Sequence, residues 1–233
     1  MNTSANESTT VRHLALFGAT RGIGRHVLDQ ALAAGHHVTA LVRDPTRLDA
    51  RHPHLRVRTG DVTELAAVSP VVQGADAVVC ALGAPARDRS GVRARGTEQI
   101  LRAMEQQGVR RLLCVSVLGA SETRASLPFF LRRIVFPLVL DPAVRDHEAQ
   151  EQLIAASDTD WTVVRPPTLT NGPRTGRYAH GFGTDFGGLT MKVSRADVAD
   201  FLLREIDRDQ YLRRMPGVCY AKSPAAATLP LAS

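Results

Sequence analysis

Lysine is nearly absent from this chain of 233 residues: of 29 Lys and Arg together, only Lys192 and Lys222 are lysines. That scarcity excludes one mechanism, the Tyr-x-x-x-Lys pair of many nicotinamide-dependent reductases. Tyr178, Tyr211 and Tyr220 are followed four positions on by Phe182, Met215 and Pro224. Cysteine is also scarce. Cys80, Cys114 and Cys219 lie too far apart for a disulfide framework or a zinc site, and are expected as buried, reduced thiols. The His36-His37 and His52-Pro53-His54 groups have no carboxylate or thiol at ligand spacing, so no metal site is expected. The single Trp161 is assigned to the core. No uncharged apolar stretch reaches 18 residues, so no integral membrane segment is expected. Residues 1–10 lack the basic start and apolar centre of a secretory signal, and a cytoplasmic location is expected.

What remains is a globular composition, 44% hydrophobic and 22% charged, which excludes disorder and collagen-like repeats. The net charge of +6 is carried by arginines scattered from Arg12 to Arg214 in runs no longer than two. A nucleic-acid interface would concentrate them, so none is expected. The bias toward Arg is read as genome composition, with part of the charge reserved for an anionic ligand.

Along the chain, short apolar runs alternate with segments of helical periodicity. The first strand, His13–Phe17, leads through Gly18 into a helix over residues 22–34 and a second strand, His37–Val42. A third strand is expected around Leu55–Arg58, a helix opened by Thr63, and a fourth strand from Ala75 to Leu82. All are read as short and buried on both faces. A helix from Val92 to Gln107 stops at Gly108, and a fifth strand spans Arg110–Val117. The helix Val144–Ala156 and a sixth strand, Asp160–Arg165, end at Pro166-Pro167. A loop with six glycines from Gly172 to Gly188 precedes a helix capped by Ser194 and a last strand at Gly217–Tyr220. This alternation predicts a Rossmann-like doubly wound parallel sheet in three α/β/α layers. One domain is expected over residues 11–220, with flexible tails at 1–10 and 221–233. The apolar segment Leu127–Leu140 falls outside the alternation; a lid over a substrate pocket, an oligomer contact and a membrane-surface contact are the options.

The first turn, Gly18-Ala19-Thr20-Arg21-Gly22-Ile23-Gly24, is a glycine-rich passage from strand to helix. There, backbone N–H groups and a helix N-terminus can meet a pyrophosphate. The second strand exits through Arg43 with Arg47 one turn on, and Arg21 sits in the glycine loop. Three guanidiniums converging on a 2′-phosphate select NADP(H) over NAD(H), while Asp44 is assigned to capping the short helix after it. Asp61 and Val62 end the third strand near the adenine, and Leu82 and Gly83 end the fourth where backbone passes close to the cofactor.

With FGATRGIG at 17–24, LVRD at 41–44, GDV at 60–62, Ser116 and the run 146–178 in place, the chain resembles the atypical short-chain dehydrogenases/reductases. It is similar to the NAD(P)H-binding group that contains flavin reductase, over residues 12–220. Arg21 replaces that group's usual middle glycine. The resemblance implies NADPH-dependent hydride transfer to a planar conjugated acceptor such as a flavin, quinone or related aromatic, by a monomer or homodimer. Such acceptors take hydride without a tyrosinate. Ser116 is then the candidate for a substrate or cofactor hydrogen bond, or a turn residue. His147 is a candidate proton donor, the alternative being that Asp146 and His147 cap their own helix. Tyr178 is a candidate for lying over the nicotinamide or the substrate, and Pro166, Pro167 and Thr168 are expected to shape the nicotinamide pocket. Two further readings remain open: an NADP(H)-binding redox sensor without turnover, and a tailoring enzyme or isomerase acting on an aromatic natural product.

Overall fold

A computed structural model describes residues 10–85, 88–120, 141–182, 187–208 and 210–222. The segment 127–140 and most of both expected tails lie outside the described residues. Side chains of the first strand, β1 (His13–Phe17), alternate between two cores because successive residues of a strand face opposite sides. Leu14 and Leu16 pack against Val27, Leu28 and Ala31 of α1 (Gly22–Ala33) and against Val198 and Leu202 of α5 (Arg195–Arg204). Ala15 and Phe17 join Val68 and Val71 of α2 (Leu65–Val72), Ile100 and Met104 of α3 (Val92–Gln107) and Ile154 of α4 (Asp141–Ala155). The sheet is thereby covered on both faces, the condition under which an all-parallel sheet forms.

The remaining strands of the sheet are β2 (His37–Val42), β3 (Leu55–Thr59), β4 (Ala77–Cys80), β5 (Arg111–Val115) and β6 (Asp160–Val164). Their order is β3-β2-β1-β4-β5-β6, all neighbours parallel. The order reverses between β1 and β4, so a crevice opens there at the carboxyl ends of the strands. No helix among the described residues is long and apolar enough to cross a membrane.

Three details depart from the sequence reading. Strand β3 is not buried: it lies at the sheet edge and four of its five residues are exposed. The glycine-rich stretch and its flanks contain three short strands, β7 (Thr168–Thr170), β8 (Ala179–His180) and β9 (Lys192–Ser194). β7 pairs with β9 and β8 with β10 (Val218–Cys219), in two small ladders too short for periodicity to reveal. Asp146 does not begin its own helix, which starts at Asp141. Its carboxylate accepts from the backbone N–H groups of Arg93 and Ala94 (3.1 and 2.9 Å) and pairs with the Arg93 guanidinium at 3.2 Å, so it caps α3 from across the helix interface. That cap is needed because Gly91, which precedes α3 with φ +64°, has no side chain to supply one. Ser194 does cap α5, its Oγ accepting from the Asp197 N–H at 3.0 Å.

Glu205, at the end of α5, is 1% exposed and its Oε2 has no partner among the described residues. Burial pushes its carboxyl up to about 7 against the opposing pull of Arg111 and Arg208. A folded-state pKa above the unfolded value means the folded chain holds the extra proton, so this contribution to stability is lost as pH rises through about 7. Glu205→Gln is therefore expected to be more stable than the parent at pH 8, by on the order of 2 kcal/mol, and to gain little at pH 4. Urea unfolding at both pH values measures this, and an equal gain at both would remove the titration argument.

Candidate functional site

The crevice is held open by backbone. Gly18 follows β1 with φ +96°, and a Cβ there would stand 2.2 Å from the carbonyl oxygen of Ala81, just past β4. A Cβ on Gly24, in the first turn of α1, would stand 2.2 Å from the carbonyl oxygen of Gly18. Three backbones are thus stacked with no room for side chains, and Gly22 at φ +60° completes the turn. Helix α1 starts without a side-chain cap and without an acidic residue in its first turn. Its first N–H groups and the positive end of its dipole are left for an anion.

A cleft of about 990 Å³ runs from this turn in both directions. Gly18, Thr20, Arg21, Gly22 and Ile23 line it; Gly24 does not, because it packs beneath the turn. Past β2 it is lined by Arg43 and Arg47, and past β3 by Gly60, Asp61 and Val62. Among the described residues Arg21, Arg43 and Arg47 form no salt bridge, so their charge is available at the cleft. Asp44 caps the short turn Pro45–Arg47 as expected, accepting from the Thr46 N–H. Asp61 accepts from the backbone N–H and hydroxyl of Thr63 (2.8 and 2.7 Å). These bonds, with the charges of Arg43 and Arg95, hold its carboxyl below the usual range. Arg95, on α3, also lines the cleft and was not legible in the sequence, since only the packing of α3 beside the crevice brings it there.

At the other end lie Leu82 and Gly83 after β4, Ser116 after β5, Pro166 and Pro167 after β6, His147 of α4 and Arg93 of α3, while Arg195 of α5 lines the cleft beside the glycine turn, its Nε 4.0 Å from where a Cβ on Gly22 would stand. Ser116 is 4% exposed; its N–H donates to the Val164 carbonyl at 2.9 Å, but its Oγ has no partner among the described residues. Ser116 lines the cleft, and its buried hydroxyl without a partner among the described residues carries an unmet desolvation cost.

Three expected roles change. His147 lines the cleft, but burial and the nearby Arg93 guanidinium lower it to about 4, so it is neutral at pH 7 and is no imidazolium acid. Tyr178 does not reach the cleft. It is buried against His180 and Phe201, and its hydroxyl donates to Asp200 at 2.7 Å, with burial and that carboxylate raising its pKa further. Thr168 is exposed on β7 and its neighbour Leu169 faces the cleft instead, as strand alternation requires.

The residues present fit a dinucleotide: a side-chain-free cradle for a pyrophosphate, guanidiniums at one end for a further phosphate, and an orphaned hydroxyl at the other. The sequence profile of a family described as NAD(P)H-binding matches residues 18–209. An uncharacterised chloroplastic protein of Arabidopsis thaliana is 32% identical over 184 residues, covering 74% of this chain and 64% of that protein. A 3-diazoavenalumate denitrifying reductase of a Streptomyces species is 31% identical over 205 residues, covering 79% of this chain and 66% of that protein. The chain therefore spans at most about two thirds of the length of these relatives. Among solved structures, a short-chain dehydrogenase/reductase from Veillonella parvula in complex with NADP superposes with a TM-score of 0.76 at 20% identity, covering 93% of this chain and 96% of that one. ChuY, an anaerobillin reductase from Escherichia coli O157:H7, gives 0.74 at 21% identity, covering 89% and 96%.

Gly24→Ala places a methyl against the Gly18 carbonyl and must displace the turn. NADPH affinity, followed by fluorescence titration, is expected to fall at least about tenfold, or 1.4 kcal/mol. An unchanged dissociation constant would show that the turn does not contact the cofactor.

Proposed function

The chain belongs to the NAD(P)H-binding family, and from that premise we propose that it is an NADPH-dependent reductase of a small, planar conjugated acceptor. The observation that carries the catalytic part of this reading is Ser116, a residue lining the cleft at the carboxyl end of β5, whose buried Oγ has no partner among the described residues. A buried hydroxyl without a partner favours a bound group that supplies one. The relatives give the reading a chemical precedent, since two of the proteins it resembles are described as reductases.

When bound, the cofactor supplies a hydride from its nicotinamide, two electrons with one hydrogen nucleus, and a proton from solvent completes the reduction. The chain's own residues do the rest by placement. Gly18 and Gly22, with the open first turn of α1, hold the pyrophosphate. Arg21, Arg43 and Arg47 hold the 2′-phosphate, a group NAD(H) lacks. Asp61 and Val62 border the adenine. Leu82, Gly83, Pro166 and Pro167 confine the nicotinamide, and Pro166, being buried, excludes water from one side of it. Ser116 hydrogen-bonds the acceptor's carbonyl or ring nitrogen and orients it for transfer. No side-chain acid is required, consistent with a neutral His147 and with Tyr178 turned away.

NADPH absorbance followed with FMN, FAD and a panel of quinones tests the reading; oxidation by at least one is expected. Tight NADPH binding with no oxidation by any acceptor would assign the chain to the class of nucleotide-binding regulators instead. For cofactor choice, Arg43→Ala is expected to raise the NADPH dissociation constant at least about tenfold, 1.4 kcal/mol, and to leave NADH nearly unchanged. Equal losses for both nucleotides would refute the role given to the phosphate.

A further inference from the structure

A buried polar chain runs from the cleft into the core, and the proposed reaction leaves it unused. Gln150 of α4 and Thr97 of α3 are both fully buried, and the Gln150 Nε2 donates to the Thr97 Oγ1 at 2.9 Å, with the Cys80 sulfur 3.6 Å away. An amide nitrogen only donates and an amide oxygen only accepts. With its nitrogen committed to Thr97, Gln150 turns its Oε1 toward the Nδ1 of His147, 3.3 Å away. An acceptor at that place requires Nδ1 to carry the ring proton. Nε2, on the opposite edge of the ring, has no hydrogen bond among the described residues, and the ring lines the cleft.

We propose that Gln150, anchored by Thr97, is a positioning residue that holds His147 as the Nδ1–H tautomer, so that Nε2 offers a lone pair to the cleft and selects ligands carrying an N–H or O–H. The charged groups around the ring are Arg93 on α3 and Asp146 and Glu151 on α4. Burial and Arg93 outweigh the two carboxylates, which keeps the ring neutral and its lone pair unprotonated at pH 7. Ser116 can donate or accept, whereas the Nε2 of His147, the ring atom left to the cleft, only accepts in this tautomer. A quinone with carbonyl oxygens alone would set a lone pair against Nε2, and a ring system with an imide, lactam or pyrrole N–H would satisfy it. The selectivity half rests on the acceptor site proposed above, while the tautomer half stands without it.

The test uses the full chain labelled with ¹⁵N-histidine, with His147→Asn identifying the resonance. At pH 7 the ring is expected to report the Nδ1–H tautomer, and Gln150→Leu to shift it toward Nε2–H. Thr97→Val, which frees the amide, is expected to act in the same direction and serves if Gln150→Leu does not fold. An Nε2–H ring in the parent, or no change in either variant, overturns the proposal. Selectivity is read by binding to the NADP⁺ complex, which needs no turnover. FMN is expected to bind about fivefold or more tightly than N3-methyl FMN, the worth of one hydrogen bond, and Gln150→Leu to erase the difference. Equal affinities in the parent, or no FMN binding, overturn the selectivity half. Failure of the reductase reading is seen separately, as absence of NADPH oxidation.

Discussion

The stacking of Gly24 on Gly18 and of Gly18 on Ala81 is the contact on which the rest of the site depends. It lets the chain leave β1, cross the exit of β4 and enter α1 with no side chain between the three backbones. The first turn of the helix is thereby brought to the place where the strand order reverses. Every other lining residue is positioned relative to that point: Arg43 by the exit of β2, Asp61 by β3, Ser116 by β5 and Pro166 by β6. The strands are in register across the sheet, so their carboxyl ends form a single rim, and a ligand that follows the rim meets each exit in turn.

Charge is distributed along this rim in a graded way. Arg43 and Arg47 past the β2 exit, and Arg21 in the glycine turn, line the cleft without a carboxylate bridge among the described residues, which suits an anionic group arriving from solvent. At the opposite end Arg93 is 6% exposed and held by Asp146, whose two oxygens also close the first turn of α3. Burial first, and then the charge of that arginine, lower the pKa of His147. Deeper in the same interface Glu151 and Arg165 form a two-bonded ion pair at 2.8 and 2.7 Å with both side chains 2% exposed, tying α4 to the end of β6 just before the two prolines. Arg93, Thr97, Asp146, Gln150, Glu151 and Arg165 thus form a buried polar group between α3, α4 and the end of β6. A buried network of this kind is rigid when fully bonded.

The parts of the fold that sequence revealed are those governed by local chemistry. The helix Val92–Gln107 ends where Gly108 takes up φ +68°, and Ser194 caps α5 through a bond three residues away. The glycine turn announces itself because its steric demand falls on residues close in the chain. What escaped was decided by contacts distant in sequence. Asp146 lies 53 residues from the N–H it caps, so it read as a cap of its own helix. Tyr178 looked free to face the cofactor because Asp200, its partner in the core, belongs to a helix 22 residues on. His147 lost its acid role to burial and to Arg93, neither of which leaves a trace in spacing. The short strands β7 to β10 pair with one another through two or three residues each, below the length at which alternation becomes a signal.

The exposed strand β3 has a consequence of a different kind. The far edge of the sheet is shielded, since β6 is bridged by the segment around Arg214 and Gly217. The near edge is open, and an open edge is a template on which another chain's strand can add. Along β3 Arg56, Val57, Arg58 and Thr59 are exposed, and the two arginines, two residues apart, share one face. A second copy approaching in either direction would bring its own arginines against these. Charged side chains blunt an open edge, so Arg56 and Arg58 oppose the addition of another strand to β3, the open edge of the sheet among the described residues.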